Sequence, residues 1–269
     1  MTYYFTILGC GSSGGVPRIG AGWGACNPGN PRNKRRRCSL LVEKVDLRGQ
    51  VTTVLVDTSP DMREQLLDND VSWVDGVIYT HDHADHTHGI DDLRALTIHN
   101  RKRIDMWMNA PTRRVLKQRF DYVFTTPHGS DYPPIANIHS LEPHNPVSIE
   151  GQGGFIVIQP IELVHGSITA LGLRFGNIAY TPDVSAIPDE SLALLTGLDV
   201  WIIDALRYTP HPSHFSVSEA LGWIERLKPK KAVLTNLHTD LDYDVLCAEL
   251  PDNVMAAYDG MRLIADETI

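Results

Sequence analysis

Short apolar runs alternate along the chain with turn formers and with segments of helical period, the pattern of an α/β protein. Thr2 to Leu8 reads as an opening strand that ends in a glycine-rich loop, Gly9 to Pro17. Residues 18 to 37 are irregular. Cys38 to Val42 and Thr52 to Asp57 predict a hairpin through Arg48-Gly49-Gln50, followed by a helix over Asp61 to Leu67. Gly76-Val77-Ile78-Tyr79 is β-branched, aromatic and bounded by turn formers, so it reads as a short buried strand. Gly89 to Leu96 has helical spacing, Met106 to Met108 reads as a strand, and Arg113 to Phe120 as another helix. Residues 121 to 150 show no clear period and predict an excursion that lines the site.

The second half repeats the layout. Phe155 to Ile158 and Ile161 to Gly166 read as strands, and Leu171 to Phe175 with Ile178 to Thr181 as a hairpin closed by Gly176-Asn177. Val200 to Asp204 and Lys231 to Thr235 are buried strands around a helix that opens at Ser216, where Ser216 and Glu219 have capping-box spacing. A helix from Asp242 to Leu250 and strands at Val254 to Ala257 and Met261 to Ile264 close the chain.

Against this background the polar exceptions stand out. Thr80-His81-Asp82-His83-Ala84-Asp85-His86 follows the Gly76 to Tyr79 run directly, at the carboxyl end of a strand, the edge where open α/β sheets bind ligands. An extended His-x-His places two rings on one side, so His81 and His83 can share a metal. A turn into a helix then carries Asp85 and His86 toward a second ion. Asp57, His165, Asp183 and His238 each stand just past a β run too. Together they supply the missing donors for two ions, with Asp183 able to bridge. Asp57 can serve as a helix N-terminal partner, as the acceptor that orients a metal-bound histidine, or as both.

Other features are less directive. The glycine loop, with Ser12 and Ser13, is either a turn or a set of N–H groups presented to an anion. Arg32-Asn33-Lys34-Arg35-Arg36-Arg37 reads as a solvated face, with phosphate contact as the alternative. His99, His128, His139 and His144 are taken as surface or structural residues. Hydrophobic content of 42% and charged content of 21% suit a soluble globular protein, and 269 residues allow one large α/β domain or two smaller ones. The net charge of −9 argues against a general nucleic-acid binder. Four cysteines without CxxC spacing suit free thiols in a reducing cytosol, and no leader or membrane-spanning pattern is evident, so a cytoplasmic location is expected.

The order Asp57, His81-x-His83-x-Asp85-His86, His165, Asp183, His238 resembles the metallo-β-lactamase superfamily. That resemblance implies one hydrolase domain over residues 1 to 269, built as a four-layer αββα sandwich with two mixed sheets flanked by helices. It places His81, His83 and His165 on one metal and Asp85, His86 and His238 on the other, with Asp183 bridging and Asp57 in support. Leu8 to Pro17 and Ala257-Tyr258-Asp259-Gly260-Met261 resemble the branch holding tRNase Z and the PhnP-like cyclic phosphodiesterases. Arg36-Arg37-Cys38-Ser39 and Pro212-Ser213-His214-Phe215-Ser216 look closer to the PhnP-like members. The PhnP-like structural zinc segment is reduced here to Cys26, so no structural zinc is expected.

The resemblance implies a dinuclear phosphodiesterase acting on a small cyclic or nucleotide-like phosphodiester such as a phosphoribosyl cyclic phosphate. Two divalent ions about 3.5 Å apart would activate a bridging hydroxide for attack on phosphorus. Asp57, Asp85 and His214 are the expected catalytic residues, with His214 contacting phosphate or protonating the leaving oxygen. His211, Ser12 and Ser13 are further substrate contacts. Donors of nitrogen and oxygen accept Mn²⁺, Zn²⁺ or iron, and the resemblance favours Mn²⁺. A tRNase Z-like nuclease, a lactonase or thioesterase on the same metal core, and a redox or binding module are the alternatives. No stable nucleic-acid or membrane partner is expected, and a homodimer is left open.

Overall fold

A computed structural model describes residues 1 to 266 and shows two seven-stranded sheets packed face to face. The first sheet holds β1 (Thr2–Gly9), β2 (Ser39–Val45), β3 (Val51–Val56), β4 (Gly76–Ile78), β5 (Ile104–Met108) and β6 (Ala136–Ser140). The second holds β7 (Val147–Gly151), β8 (Gly154–His165), β9 (Ile168–Phe175), β10 (Ile178–Thr181), β11 (Val200–Asp204), β12 (Lys231–Thr235) and β13 (Val254–Ala256), and β14 (Met261–Asp266) returns to the first beside β1. In each sheet the earlier pairings are antiparallel and the later ones parallel. Strands β3 to β6 run parallel, as do β10 to β13.

Period-two alternation decides the layering. On β2, Leu40 and Val42 face the second sheet and pack with Val54, Val56, Ile156, Leu171, Tyr180 and Ile202. Leu41 faces the other way, with Leu55, Val77 and Met106, against α1 (Met62–Leu67), α3 (Leu93–Asn100) and α4 (Ala110–Phe124). The short α2 (Ala84–Thr87) lies between α1 and α3 in sequence. Trp201, Ile203 and Leu234 pack outward against α6 (Val217–Leu227) and α7 (Tyr243–Glu249), with α5 (Asp189–Leu192) nearby in sequence. Because these strands are buried on both faces they read as continuous apolar runs. The result is the αββα sandwich that the resemblance implies. No helix among the described residues is long and apolar enough to cross a membrane.

Several details differ from the sequence pattern. The stretch 121 to 150 contains β6 and β7, which lie at the ends of the two sheets. Their outward positions carry Asn137, His139, Ser148 and Glu150, so the apolar alternation is diluted, as edge strands permit. The two runs around Pro160 are one strand, β8, paired with β7 up to Ile158 and with β9 from Gln159 onward.

The arginine run is a solvated face only in part, with Arg32 and Lys34 exposed. Arg35 is fully buried and donates to the His238 carbonyl (3.3 Å) and to Asn33 Oδ1 (3.3 Å). Arg32 lies over the rings of Tyr243 and Tyr258. Arg36 and Arg37 pair with Asp68 and Asp61, and their backbone N–H groups donate to Asp259 and Asp61. Half-exposed ion pairs of this kind contribute about 0 to 1 kcal/mol. The backbone bonds to carboxylates and the burial of Arg35 therefore fix the segment more than the charge pairs do.

Candidate metal centre

Parallel pairing of β3 with β4 and of β10, β11 and β12 brings their carboxyl ends to one edge of the sandwich. Past β4 the chain stays extended to His83 and then turns into α2, placing the ring of His81 4.6 Å from that of His83 and 4.3 Å from that of His86. His165 arrives from the end of β8, with its ring 5.1 Å from that of His81. Asp183 follows β10 by two residues, and Asp204 ends β11.

The hydrogen-bond partners set the tautomers. Asp57, fully buried at φ +63°, accepts from Thr80 N (2.8 Å) and Thr80 Oγ1 (2.8 Å) and pairs with His86 Nδ1 (2.7 Å). A carboxylate acceptor makes His86 Nδ1 the N–H side and turns the Nε2 lone pair inward. Thr80 Oγ1 gives its one proton to Asp57, so it accepts from His81 Nδ1 (3.0 Å). His165 Nδ1 donates to the Ser213 carbonyl (2.6 Å). Three histidines are thus held from outside with their second nitrogens converging.

Those inner atoms lie close to one another. His86 Nε2 lies 3.1 Å from Asp183 Oδ2 and 3.4 Å from Asp85 Oδ2, and His165 Nε2 lies 3.2 Å from His83 Nδ1 and 3.9 Å from Asp183 Oδ1. Among the described residues, three groups have ligand atoms within 4.8 Å of one another: His81, His83 and His165; His81, His86 and Asp183; and His165, Asp183 and His214. His81 Nε2, His86 Nε2 and Asp183 Oδ2 are buried and make no hydrogen bond. Buried lone pairs left facing each other are costly unless a cation lies between them, so the residues fit divalent metal ions.

Electrostatics agree with a donor set. Burial holds His81 and His165 below the usual histidine value, which keeps their lone pairs free of protons near neutral pH. Burial alone would raise Asp85 and Asp183, but the neighbouring histidines, His86 first, hold Asp85 at about 2 and Asp183 well below the carboxylate range. Burial opposes a proton on His86, yet Asp183, Asp85 and Asp57 outweigh it and raise its pKa. The site thus gathers enough negative charge to attract a cation.

Two placements bear on the expected ligand sets. His238 lines the same cavity, with its Nε2 2.6 Å from Arg18 Nη1, and lies outside the three groups. His214 sits beside the donors, with Nδ1 2.8 Å from Asp204 Oδ2 and 3.6 Å from Asp183 Oδ1, and shares a group with His165 and Asp183. Asp57 takes the orienting role and not that of a helix partner, since α1 opens at Asp61.

Sequence reasoning missed Asp204 and Arg18. Asp204 is fully buried, with its carboxyl pushed up to about 7 by burial, and it accepts from Val184 N as well as pairing with His214. The signal was present, since Asp204 closes an apolar run as Asp57 does. Ser12, Ser13, Arg18, His211 and His214 line a cavity of about 260 Å³ beside the donors.

This fold, with its histidine and carboxylate cluster at one sheet edge, defines a metal-dependent hydrolase of the metallo-β-lactamase type. The chain belongs to the beta-lactamase superfamily domain family, whose model matches residues 52–236. A crystal structure of a new diphosphatase from the PhnP family is similar at 35% identity, covering 98% of each chain with a TM-score of 0.87. Human tRNase Z, short form, shares the fold at 16% identity and a TM-score of 0.61, covering 97% of this chain and 98% of that one. An octanoyltransferase of Porphyromonas gingivalis is 30% identical over 266 residues, 97% of this chain and 51% of that protein. The chain thus spans about half the length of that curated relative.

Proposed function

We propose that this chain hydrolyses a small cyclic or nucleotide-like phosphodiester, of the phosphoribosyl cyclic phosphate type, with two divalent ions, Mn²⁺ or Zn²⁺. The reading is carried by the buried, unbonded atoms His81 Nε2, His86 Nε2 and Asp183 Oδ2 beside a cavity of about 260 Å³. His81, His83 and His165 would hold one ion, Asp85, His86 and His238 the other, and Asp183 would stand between them. Bound there, the ions would supply Lewis acidity at a phosphoryl oxygen and acidify water.

The chain's own side chains supply orientation and a proton path. Asp57 and Thr80 fix His86 and His81 from behind. His214 has Nδ1 engaged by Asp204, which leaves Nε2 as the atom that can pass a proton to a leaving oxygen. Burial opposes a proton on His214, but the bond to Asp204 outweighs it and raises the pKa, as an acid near neutral pH needs. Ser12, Ser13 and His211 offer further polar contacts in the cavity.

A small diphosphate is the second substrate reading, favoured by the 35% identity to a PhnP-family diphosphatase. The cavity size and the net charge of −9 argue for a small molecule over a tRNA. Free cysteines suit work in a reducing cytosol. The test is hydrolysis of bis(p-nitrophenyl) phosphate by metal-stripped protein reloaded separately with Mn²⁺, Zn²⁺ and Fe²⁺, beside a lactone and a thioester. Metal-dependent cleavage of the phosphodiester is expected. Turnover of only the lactone or thioester would overturn the substrate class and leave the metal core standing.

A further inference from the structure

Arg18 stands among the donors without being one. Its Nη1 lies 2.6 Å from His238 Nε2, and His238 Nδ1 lies 2.7 Å from Asp240 Oδ1. A guanidinium can only donate, so Nε2 accepts with its lone pair and the ring proton sits on Nδ1, facing Asp240. This is the tautomer a metal-ligating histidine needs, with a protein cation on the lone pair.

The surrounding chain is shaped for this contact. A Cβ at Gly14 would lie 2.3 Å from Arg18 Nε and 2.9 Å from Nη2, so a side chain there would push the guanidinium off its present path. The Arg18 backbone is pinned by two 2.8 Å hydrogen bonds exchanged with Gly22, which leaves the side-chain torsions as the freedom that remains. Ser12 Oγ, buried and without a hydrogen-bond partner, lines the same cavity. Arg207 lines it too, but its guanidinium donates to the carbonyls of Thr209 and Pro210. Arg18 is therefore the cavity arginine with donors to spare for a ligand.

We propose that Arg18 is an exchangeable occupant of His238, which it releases when an ion takes the Nε2 lone pair, and that the freed guanidinium then binds an anionic group of the substrate together with Ser12 Oγ. The inference rests on the two-ion reading above and deepens it. It selects small substrates that carry a second phosphate, next to the one that is cleaved. Arginine suits the role because its planar fork pairs with two phosphate oxygens at once. Ion and anion are then coupled through one lone pair. By linkage, phosphate that draws Arg18 away tightens ion binding as much as the ion tightens phosphate binding.

The experiment is calorimetric titration of Mn²⁺ into the metal-stripped full chain, with and without inorganic phosphate, for the wild type, Arg18→Met and Gly14→Ala. The wild type is expected to bind two ions unequally, with phosphate tightening the weaker step. Arg18→Met should tighten that step about tenfold in the absence of phosphate and abolish the effect of phosphate. Gly14→Ala keeps the charge but blocks its path, so it should tighten the same step and separate occupancy from charge repulsion. An unchanged weaker step in both variants, or a phosphate effect of full size in Arg18→Met, overturns the proposal. A wild type that takes up fewer than two ions overturns the two-ion reading itself, and this inference with it.

Discussion

The two oxygens of Asp57 hold three donors: Thr80 N, Thr80 Oγ1 and His86 Nδ1. Burial raises the Asp57 pKa and those donors pull it back, so the carboxylate is maintained by its partners. Replacement by Asn keeps one acceptor and sets an NH₂ against at least one of the three N–H or O–H groups. Asp57→Asn is therefore expected to weaken ion binding about 10- to 100-fold, because His86 loses its fixed ring orientation. Calorimetric metal titration reads this directly. An unchanged affinity would mean that His86 is oriented by packing alone. The positive φ at Asp57 fits the same account, since a side chain held by three partners can offset a backbone conformation that L residues rarely adopt.

At the scale of elements, the end of the chain is tied to its beginning through Asp259. Its carboxylate accepts from Cys10 N at the exit of β1 (3.1 Å) and from Arg36 N ahead of β2 (2.8 Å), just before β14 pairs with β1. Burial pushes the Asp259 carboxyl up to about 6, against those backbone donors. A carboxyl raised in the fold binds its proton more tightly than in the unfolded chain. Its contribution is thus fully present below about pH 4 and is lost as pH rises to about 6, a change of about 3 kcal/mol. The difference in stability between wild type and Asp259→Asn should slope across that window and flatten above it. Urea denaturation at pH 4, 5, 6 and 7 measures it, and a constant difference would rule the account out. Elsewhere the element pattern followed local chemistry. The capping box at Ser216 and Glu219 opens α6 where the sequence places it, with Ser216 N donating to Glu219 Oε2 at 2.8 Å.

For the molecule as a whole, the donors at the sheet edge are a concentration of buried lone pairs and carboxylates that the fold holds together against repulsion. Ions that bind only the folded state should stabilise it by about 2.7 kcal/mol at 100 times the dissociation constant. For a chain of this size that corresponds to a rise in Tm of roughly 5 to 10 °C, since each kcal/mol is worth about 2 to 4 °C. Thermal denaturation with Mn²⁺ and with excess chelator checks it, and coincident curves would argue against resident ions. The sequence pattern carried the alternation of strands and helices, because period-two alternation and doubly buried apolar runs are local, and the family resemblance implied the αββα layering. The pattern also carried most of the site, because parallel strands deliver whatever follows them to the same edge. His81, His83, His86 and Asp183 needed no more than that rule, while His165 reaches the same edge from the end of antiparallel β8. The tertiary structure decided what depends on distance between remote segments: that Asp204 backs His214, that Arg35 is interior, and that Arg18 sits on His238 across 220 residues of chain. A charged side chain reads the same in sequence whether it meets water or a buried partner, and only the packing of the loops settles which.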